Sequence, residues 1–173
     1  RPTEPKVWKQ VNSITIAFGH GVSTTPLQTA VGCAALMNGF LMQPTFLMRS
    51  QAEAMETATR VVSDKTVEAM RYLYALNAEK GSGRNARVPG YRVGGKTGTA
   101  EKVVNGRYSK SKLLTSFTAI LPADKPRYQI LIMLDEPQGL PETHGFATSG
   151  WNAAPTAGRV IARIAPMLGI EPR

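Results

Sequence analysis

The sequence has 173 residues, 42% of them hydrophobic and 19% charged, which suits one globular domain with a buried core. The formal net charge of +9 would favour an acidic partner, but the basic residues are scattered and no recognition motif accompanies them, so we expect no nucleic-acid binding. A single cysteine, Cys33, excludes an internal disulfide and a cysteine-rich metal site. We predict neither a metal nor a cofactor, since the two histidines, His20 and His144, are isolated in sequence.

The first segment, "RPTEPKVWKQ", has no initiator methionine and contains two prolines, which suggests a piece of a longer chain. No apolar run approaches the ~20 residues that a membrane-spanning helix needs. The alternation of Ile14, Ile16 and Phe18 in "SITIAF" predicts a short strand that leads into the turn "GHG".

A helix is predicted to follow this turn. Thr25 can cap it, Pro26 suits its first position, Gln28 can close a capping box and Gly39 can end it. Apolar residues at helical spacing predict its buried face, namely Leu27, Ala30, Val31, Ala34 and Met37. Cys33 lies among small apolar residues and is interpreted as a buried core residue.

Two further helices are predicted. One begins after the cap Ser63, ends at Gly81 and is followed by the loop "GSGRNARVPG". Its buried side is predicted to carry Val67, Met70, Leu73 and Tyr74. The other is the C-terminal helix within "NAAPTAGRVIARIAPMLG", where Pro155 is tolerated near the start. Its buried face is predicted to carry Val160, Ile161, Ile164 and Leu168.

Three strands are predicted between these helices, in "YRVGGKTGTAEKVV", "LLTSFTAIL" and "YQILIML". Asn105-Gly106 favours a hairpin turn, and "PADKPR" is too short for a parallel crossover, so we expect an antiparallel meander. The third strand is apolar throughout, as a central strand would be. Asp135 and Glu136 at its end should point to opposite faces, so they are interpreted as solubility residues and not as an acid/base pair.

The stretch "GYRVGGKTGTA" fits two unrelated catalytic motifs. Gly90, Gly95, Lys96 and Thr97 match the phosphate-binding loop of nucleotide hydrolases, whereas "KTGT" matches the third motif of penicillin-binding proteins and serine β-lactamases. A phosphate-binding loop needs a buried strand before it and a helix after it. Here a polar, proline-ended segment precedes the motif, and a glycine and a hairpin turn follow it. A nucleotide hydrolase is therefore only the remote alternative.

On a strand, alternation would place Thr97 and Thr99 on one side and Lys96 and Gly98 on the other. Two hydroxyls could then converge on one ligand carboxylate, with the positive charge of Lys96 nearby. Gly98 would let an extended peptide approach the strand edge. The backbone N–H of Thr99 would be placed to donate to a developing oxyanion, a contact worth roughly 2.7 to 4 kcal/mol in comparable sites.

Four blocks in order carry a family resemblance: "FGHGVSTTPLQTA", "VPGYRVGGKTGTAEK", "SFTAILPADKPRYQILIMLDEP" and "AAPTAGRVIARIAPMLG". From about Ile14 to Gly169, the sequence resembles the C-terminal half of the transpeptidase domain of class B penicillin-binding proteins, which cross-link peptidoglycan. "GVSTTPLQ" is closer to the septal, cell-division type. The resemblance implies an α+β fold, an antiparallel sheet with helices on both faces, of which residues 1–173 form the C-terminal part.

The resemblance also implies that Lys96, Thr97, Gly98 and Thr99 hold the carboxylate of a D-Ala-D-Ala stem peptide or of a β-lactam antibiotic, with the Thr99 N–H as an oxyanion donor. The family's nucleophilic serine, in S-x-x-K, and its S-x-N motif would lie upstream. The S-x-x-K match at Ser109 to Lys112 follows Lys96 and is interpreted as a chance match in a basic hairpin. The chain would therefore act together with the N-terminal half of the same domain.

The implied location is the periplasmic or extracellular face of the cytoplasmic membrane, with an anchor upstream and membrane proteins of the division machinery as partners. A non-catalytic penicillin-binding sensor is the competing interpretation, because it would keep the same strand. His20 is expected to be structural and His144 exposed. Trp151 would either line the mouth of the cleft or pack on the last helix, and packing is favoured. Four basic residues are expected to be solvated or to attract anionic peptidoglycan: Lys102, Arg107, Lys110 and Lys112.

Overall fold

Five α-helices and five strands make up the part of the chain that the computed structural model describes, residues 2–3, 5–47 and 50–172. In chain order they are α1 (Gln10–Ile16), α2 (Pro26–Asn38), β1 (Phe40–Leu41), α3 (Gln51–Glu56), β2 (Thr59–Arg60), α4 (Asp64–Lys80), β3 (Gly94–Val104), β4 (Arg107–Leu121), β5 (Tyr128–Asp135) and α5 (Ala153–Met167). Short 3₁₀ turns at Arg84–Ala86, Pro141–Thr143 and Ser149–Trp151 lie in the loops before β3 and before α5.

The main sheet consists of β3, β4 and β5, and the predicted antiparallel meander is confirmed. Asn105 and Gly106 form the β3–β4 turn, with the φ angles of 51° and 76° that a two-residue hairpin turn requires. Among the described residues β5 pairs with β4 alone, so β4 is the middle strand of these three and the central position expected for "YQILIML" stays a prediction. Its side chains are half-buried because α2 and α5 both lie against it.

Helices cover both faces of this sheet. The core on the α5 side is built around Phe117, Ala119, Leu121 and Ile161. The core on the side of α2 and α4 is built around Met37, Tyr74, Ala75 and Ile120. Neighbouring residues of β4 thus alternate between two cores, as a strand covered on both faces requires. The predicted α+β fold with helices on both faces of an antiparallel sheet is confirmed.

The helices α2 and α4 begin and end at the predicted residues. Thr25 Oγ1 accepts the N–H of Gln28 at 3.2 Å, and Gln28 Oε1 accepts the N–H of Thr25 at 2.9 Å, which completes the predicted capping box. Gly39 ends α2 with a left-handed φ of 90°. Ser63 caps α4, and Gly81 ends it. None of the described helices combines the length and the apolar composition that crossing a bilayer requires.

The buried faces of these helices differ in part from the predicted ones. Leu27 and Leu73 are exposed, because α2 and α4 turn other residues toward the sheet. Cys33 is half-buried and accepts a hydrogen bond from the Tyr74 hydroxyl at 3.8 Å. In α5 mainly small residues are buried, which lets the helix lie close to the sheet: Ala153, Ala154, Ala157, Gly158, Ile161 and Ala165.

The predicted strand in "SITIAF" is wrong, because residues 10–16 form α1. The side chain of Asn12 accepts the N–H of Lys9 at 2.8 Å, and the Thr15 hydroxyl donates to the carbonyl of Val11 at 2.9 Å, so local hydrogen bonds stabilise a helical turn. An alternating pattern makes a strand only where a neighbouring strand pairs with it. α1 buries none of its side chains, and Ile14 and Phe18 are 61% and 74% exposed.

Candidate functional site

The segment Lys96–Thr99 lies in β3, which has one free edge among the described residues because β4 is its only paired strand there. At this edge the carbonyl of Gly95 accepts the Asn77 amide at 2.7 Å, and the carbonyl of Thr97 accepts the Lys96 ammonium at 2.6 Å. Every second residue of a strand presents its N–H and C=O to the same edge. The backbone N–H of Thr99 therefore points away from β4, toward the free edge.

Thr97 and Thr99 line one cavity of about 280 Å³, which confirms that their side chains share one side of β3. The remaining walls come from the loops before β3 and before α5: Gly81, Ser82, Arg84, Asn85, Thr148, Gly150 and Trp151. Lys96 is exposed and does not line this cavity. Its ammonium group lies at the strand edge beside it, so it contributes charge more than shape.

Gly98 lies close to the side chain of Ser116 on β4. A Cβ atom at this position would lie 2.5 Å from Ser116 Oγ, a distance that real Cβ atoms do not show. A side chain at this position would therefore require the Ser116 hydroxyl to rotate away, since the nearest backbone atom of Ser116 is 3.8 Å from that Cβ. The expectation that Gly98 admits a substrate backbone stays a prediction.

The two threonine hydroxyls have different hydrogen-bond partners. Thr99 Oγ1 accepts the backbone N–H of Ser149 at 3.2 Å, so its own proton can be donated into the cavity. Thr97 Oγ1 lies 2.7 Å from Ser82 Oγ. With Arg84 on the wall and Lys96 at the edge, the cavity offers hydroxyl donors next to two positive charges, an arrangement that suits a carboxylate.

Ser82, Arg84 and Asn85 were not predicted as site residues. They belong to "GSGRNARVPG", which the sequence marks only as a loop. Asn85 holds this loop against the start of α5, because its Nδ2 donates to the carbonyl of Gly150 at 2.8 Å. The closely spaced glycines just upstream of "KTGT" were the available signal, but they do not say which side chains reach the strand.

Trp151 is one of the residues that line the cavity, so the structure supports a position in the cleft, which the sequence favoured less, over packing on the last helix alone. Its ring stacks on Phe146 with 5.8 Å between centroids and meets the edge of His144 at 5.6 Å. Trp151 is half-buried, and His144 is exposed as predicted. Of these three rings, only that of Trp151 lines the cavity, and the other two support it from outside.

A second cavity of about 520 Å³ continues along the free edge of β3 beyond Thr99. It lies between the loop of residues 18–23 and the β3–β4 hairpin. His20 Nδ1 lies 3.0 Å from the Tyr108 hydroxyl, and their rings are 5.1 Å apart. His20 thus joins the loop to the hairpin, which agrees with its predicted structural role.

Asp135 and Glu136 do not point to opposite faces as predicted, because both accept hydrogen bonds from Lys102 Nζ, at 2.9 and 2.8 Å. Glu136 lies beyond the end of β5, where its φ of 47° breaks the strand alternation. The hydrogen bond from Lys102 lowers the pKa of Glu136, and the hydrogen bond to Glu136 raises the pKa of Lys102. The two carboxylates form an ion-pair cluster, and Lys112 joins it at 3.5 Å from Glu136.

Ser109 and Lys112 have other partners, which agrees with a chance match to S-x-x-K. Ser109 Oγ lies 3.2 Å from Ser111 Oγ, and Lys112 pairs with Glu136. The phosphate-loop interpretation of Lys96 and Thr97 is wrong, because both lie inside an extended strand that continues into a hairpin. Among the described residues no group of three or more His, Cys, Asp or Glu side chains could hold a metal ion.

Comparison with known sequences agrees with this geometry. A family model described as the penicillin binding protein transpeptidase domain matches residues 3–161. The chain is 43% identical over 180 aligned positions to the probable peptidoglycan D,D-transpeptidase FtsI of Caulobacter vibrioides, and 35% identical over 173 positions to the stage V sporulation protein D of Bacillus subtilis. These alignments cover 99% and 94% of this chain but only 31% and 26% of the relatives, so the chain spans about a third or less of their length.

Solved structures show the same fold. The apo transpeptidase domain of Burkholderia pseudomallei penicillin-binding protein 3 is similar with a TM-score of 0.83 and 31% identity, over 99% of this chain and 51% of that one. Penicillin-binding protein 3 of Mycobacterium tuberculosis, complexed with aztreonam, is similar with a TM-score of 0.78 and 27% identity, over 99% of this chain and 41% of that one. Since the family model matches most of the chain, the chain belongs to the penicillin-binding protein transpeptidase domain family.

Proposed function

We propose that residues 1–173 are the C-terminal part of the transpeptidase domain of a class B peptidoglycan D,D-transpeptidase and supply the carboxylate-binding side of its active site. The observation that carries the proposal is the convergence of the Thr97 and Thr99 side chains on one cavity, beside the free edge of β3. The family assignment gives this convergence its chemical meaning, since the named relatives include a D,D-transpeptidase.

In this proposal an extended stem peptide lies along the edge of β3 and bonds to its backbone. The hydroxyls of Thr97 and Thr99 donate to the terminal carboxylate, and the charges of Lys96 and Arg84 favour its approach. A serine outside residues 1–173 attacks the carbonyl carbon, and the N–H of Thr99 donates to the oxyanion that forms. An acyl-enzyme results, which an amine of a second stem peptide resolves in transpeptidation. A β-lactam antibiotic would acylate the same serine.

The partner that we propose for this chain is the preceding half of the same domain. Exposed apolar side chains gather near the start of the described chain, namely Val7, Trp8, Val11, Ile14 and Phe18. β5 also offers an apolar edge without a paired strand among the described residues. The chain covers only 51% of the Burkholderia transpeptidase domain, so a segment of comparable length is available to cover these surfaces.

The names of the relatives support a role in peptidoglycan synthesis during cell division. We place the protein at the periplasmic or extracellular face of the cytoplasmic membrane, anchored by sequence upstream of this chain. Stem peptides and β-lactams would be its ligands, and membrane proteins of the division machinery its partners. The relative named as a D,D-transpeptidase favours catalysis over a sensor role.

Intact mass spectrometry of the protein that includes the preceding half tests this proposal. We expect one penicilloyl group after exposure to benzylpenicillin, on a residue outside 1–173. Thr99→Val should lower the acylation rate constant about 10- to 100-fold, because a hydrogen bond to a charged group is worth about 1.5–3 kcal/mol. Thr57→Val, at the exposed end of α3, is the matched control. Absence of any penicilloyl adduct would refute the proposal, and acylation without cross-linked product from stem peptides would instead identify a sensor.

A further inference from the structure

The turn Gly81–Gly83 brings one side chain, that of Ser82, to the hydroxyl of Thr97. Ser82 Oγ lies 2.7 Å from Thr97 Oγ1 and donates to Asn77 Oδ1 at 3.2 Å. Asn77 Nδ2 in turn donates to the carbonyl of Gly95 at 2.7 Å. The serine hydroxyl is thus connected at both ends to β3, once through Thr97 and once through Asn77.

The turn is fitted closely around the Asn77 side chain. A Cβ atom at Gly81 would lie 2.4 Å from Asn77 Oδ1, and one at Gly83 would lie 2.9 Å from Asn77 Nδ2 and 3.1 Å from the Phe117 ring. The backbone N–H groups of Gly81 and Gly83 both donate to the carbonyl of Asn77, at 2.9 and 3.2 Å. Because these two positions fit closely around Asn77, the packing fixes the backbone of the turn from which Ser82 reaches Thr97.

The arrangement sets the direction of the Thr97 proton. The Asn77 oxygen can only accept, so while Ser82 donates to it, Ser82 has only lone pairs for Thr97, and Thr97 is the donor. A carboxylate in the cavity needs the Thr97 proton for itself. The Ser82 hydroxyl can then rotate so that it donates to Thr97 Oγ1, at 2.7 Å, instead of Asn77 Oδ1. The bond to Asn77 that it gives up is long, at 3.2 Å. Thr97 stays bonded in both states, and in the second its own donation to the anion is strengthened.

We infer that Ser82 is a positioning residue that holds the Thr97 hydroxyl in the cavity and donates a hydrogen bond to it when an anionic carboxylate binds. This inference rests on the proposed function, since it takes the carboxylate of a stem peptide or β-lactam as the ligand. Ser82 acts through Thr97 and does not need to touch the ligand. Its contribution therefore depends on the negative charge of the ligand and not on the reacting carbonyl.

The test compares benzylpenicillin with its methyl ester as acylating agents of the protein that includes the preceding half. The ester keeps the β-lactam ring but lacks the anionic carboxylate. For Ser82→Ala we expect the second-order acylation rate constant to fall about five- to tenfold with benzylpenicillin and less than about twofold with the ester. Ser82→Thr, which keeps the hydroxyl, should restore most of the rate with benzylpenicillin. Ser111→Ala, an exposed serine on β4, is the matched control and should change neither rate.

The possible outcomes separate this inference from the proposed function. If the unsubstituted protein is not acylated, the proposed function is refuted and the inference falls with it. If it is acylated and Ser82→Ala reacts equally fast with benzylpenicillin, the inference alone is wrong. Equal losses with benzylpenicillin and with the ester would show that Ser82 only maintains the fold of the turn, and would also overturn the inference.

Discussion

Residues 63–172 and residues 5–47 each contain two α-helices but differ in how many of their apolar side chains are buried. In the later region Phe117, Ile120, Leu121 and Ile161 are fully buried in two cores around the sheet. In the described residues 5–47 the buried apolar side chains are Ala35 and Met37, both on α2 where it meets the later region. α1 buries none of its residues.

This difference shows that local hydrogen bonds can form a helix without the burial of apolar side chains that stabilises it. α1 and α2 carry hydrogen-bonded residues at their starts, Asn12 in one and Thr25 with Gln28 in the other. Such hydrogen bonds determine where a helix begins. In water, however, a short helix is only marginally stable unless it packs an apolar face against another part of the protein. The exposed apolar side chains of α1 are therefore the surface on which the proposed preceding half would pack.

Phe117 and Phe18 should show the largest difference in stability between the two regions. Phe117 has no exposed surface in the core between β4 and α5, whereas Phe18 is 74% exposed. In the 173-residue chain, Phe117→Ala should lower the free energy of unfolding by about 3–5 kcal/mol because it leaves a cavity. Phe18→Ala should change it by less than about 0.5 kcal/mol. Urea unfolding measures both, and equal losses would show that the two regions do not differ as described.

The same Phe18→Ala substitution should become costly in the protein that includes the preceding half. If that half covers α1 and the loop after it, the substitution should lower the free energy of unfolding by about 1.5–3 kcal/mol, the value of burying a large apolar side chain. Tyr72→Ala, on the exposed side of α4, is a control that should stay near neutral in both forms. An unchanged small effect of Phe18→Ala in the longer protein would place the preceding half elsewhere.

Features set by neighbouring residues could be predicted from the sequence. The Asn105-Gly106 hairpin and the caps at Thr25 and Ser63 depend on a few adjacent residues, and each lies where it was expected. The shared side of Thr97 and Thr99 follows from strand alternation once the hairpin is recognised.

Features that depend on distant parts of the chain could not be predicted. Ser82 reaches Thr97 only because the turn before β3 folds around Asn77, which lies in a different element. Glu136 meets Lys102 because β5 ends one residue earlier and the backbone turns to a positive φ, and nothing in "LDEP" specifies that point. The strand predicted at "SITIAF" was wrong because a strand also depends on a distant partner. In the described residues no strand pairs with this segment.

The smallest predicted effect concerns the ion pairs that Lys102 of the β3–β4 hairpin makes with Asp135 and Glu136. The lowered pKa of Glu136 means that its contribution to stability is present above the usual pKa of a glutamate and is lost as the pH falls through the lowered value. The raised pKa of Lys102 makes its contribution persist through neutral pH, until the pH rises through that raised value. Glu136→Gln should therefore lower the melting temperature slightly at pH 7, and the difference should vanish in acid.

A double-mutant cycle with Lys102→Met isolates the pair. After Lys102 is replaced, Glu136→Gln should have a smaller further effect at pH 7, because the carboxylate has lost its nearer cation and keeps only Lys112, at 3.5 Å. Added salt should reduce the coupling, since all four charged groups of the cluster contact solvent. Additive effects of the two substitutions at every pH would mean that Lys102 and Glu136 act independently. The protruding end of the hairpin would then be stabilised by its backbone pairing and turn alone.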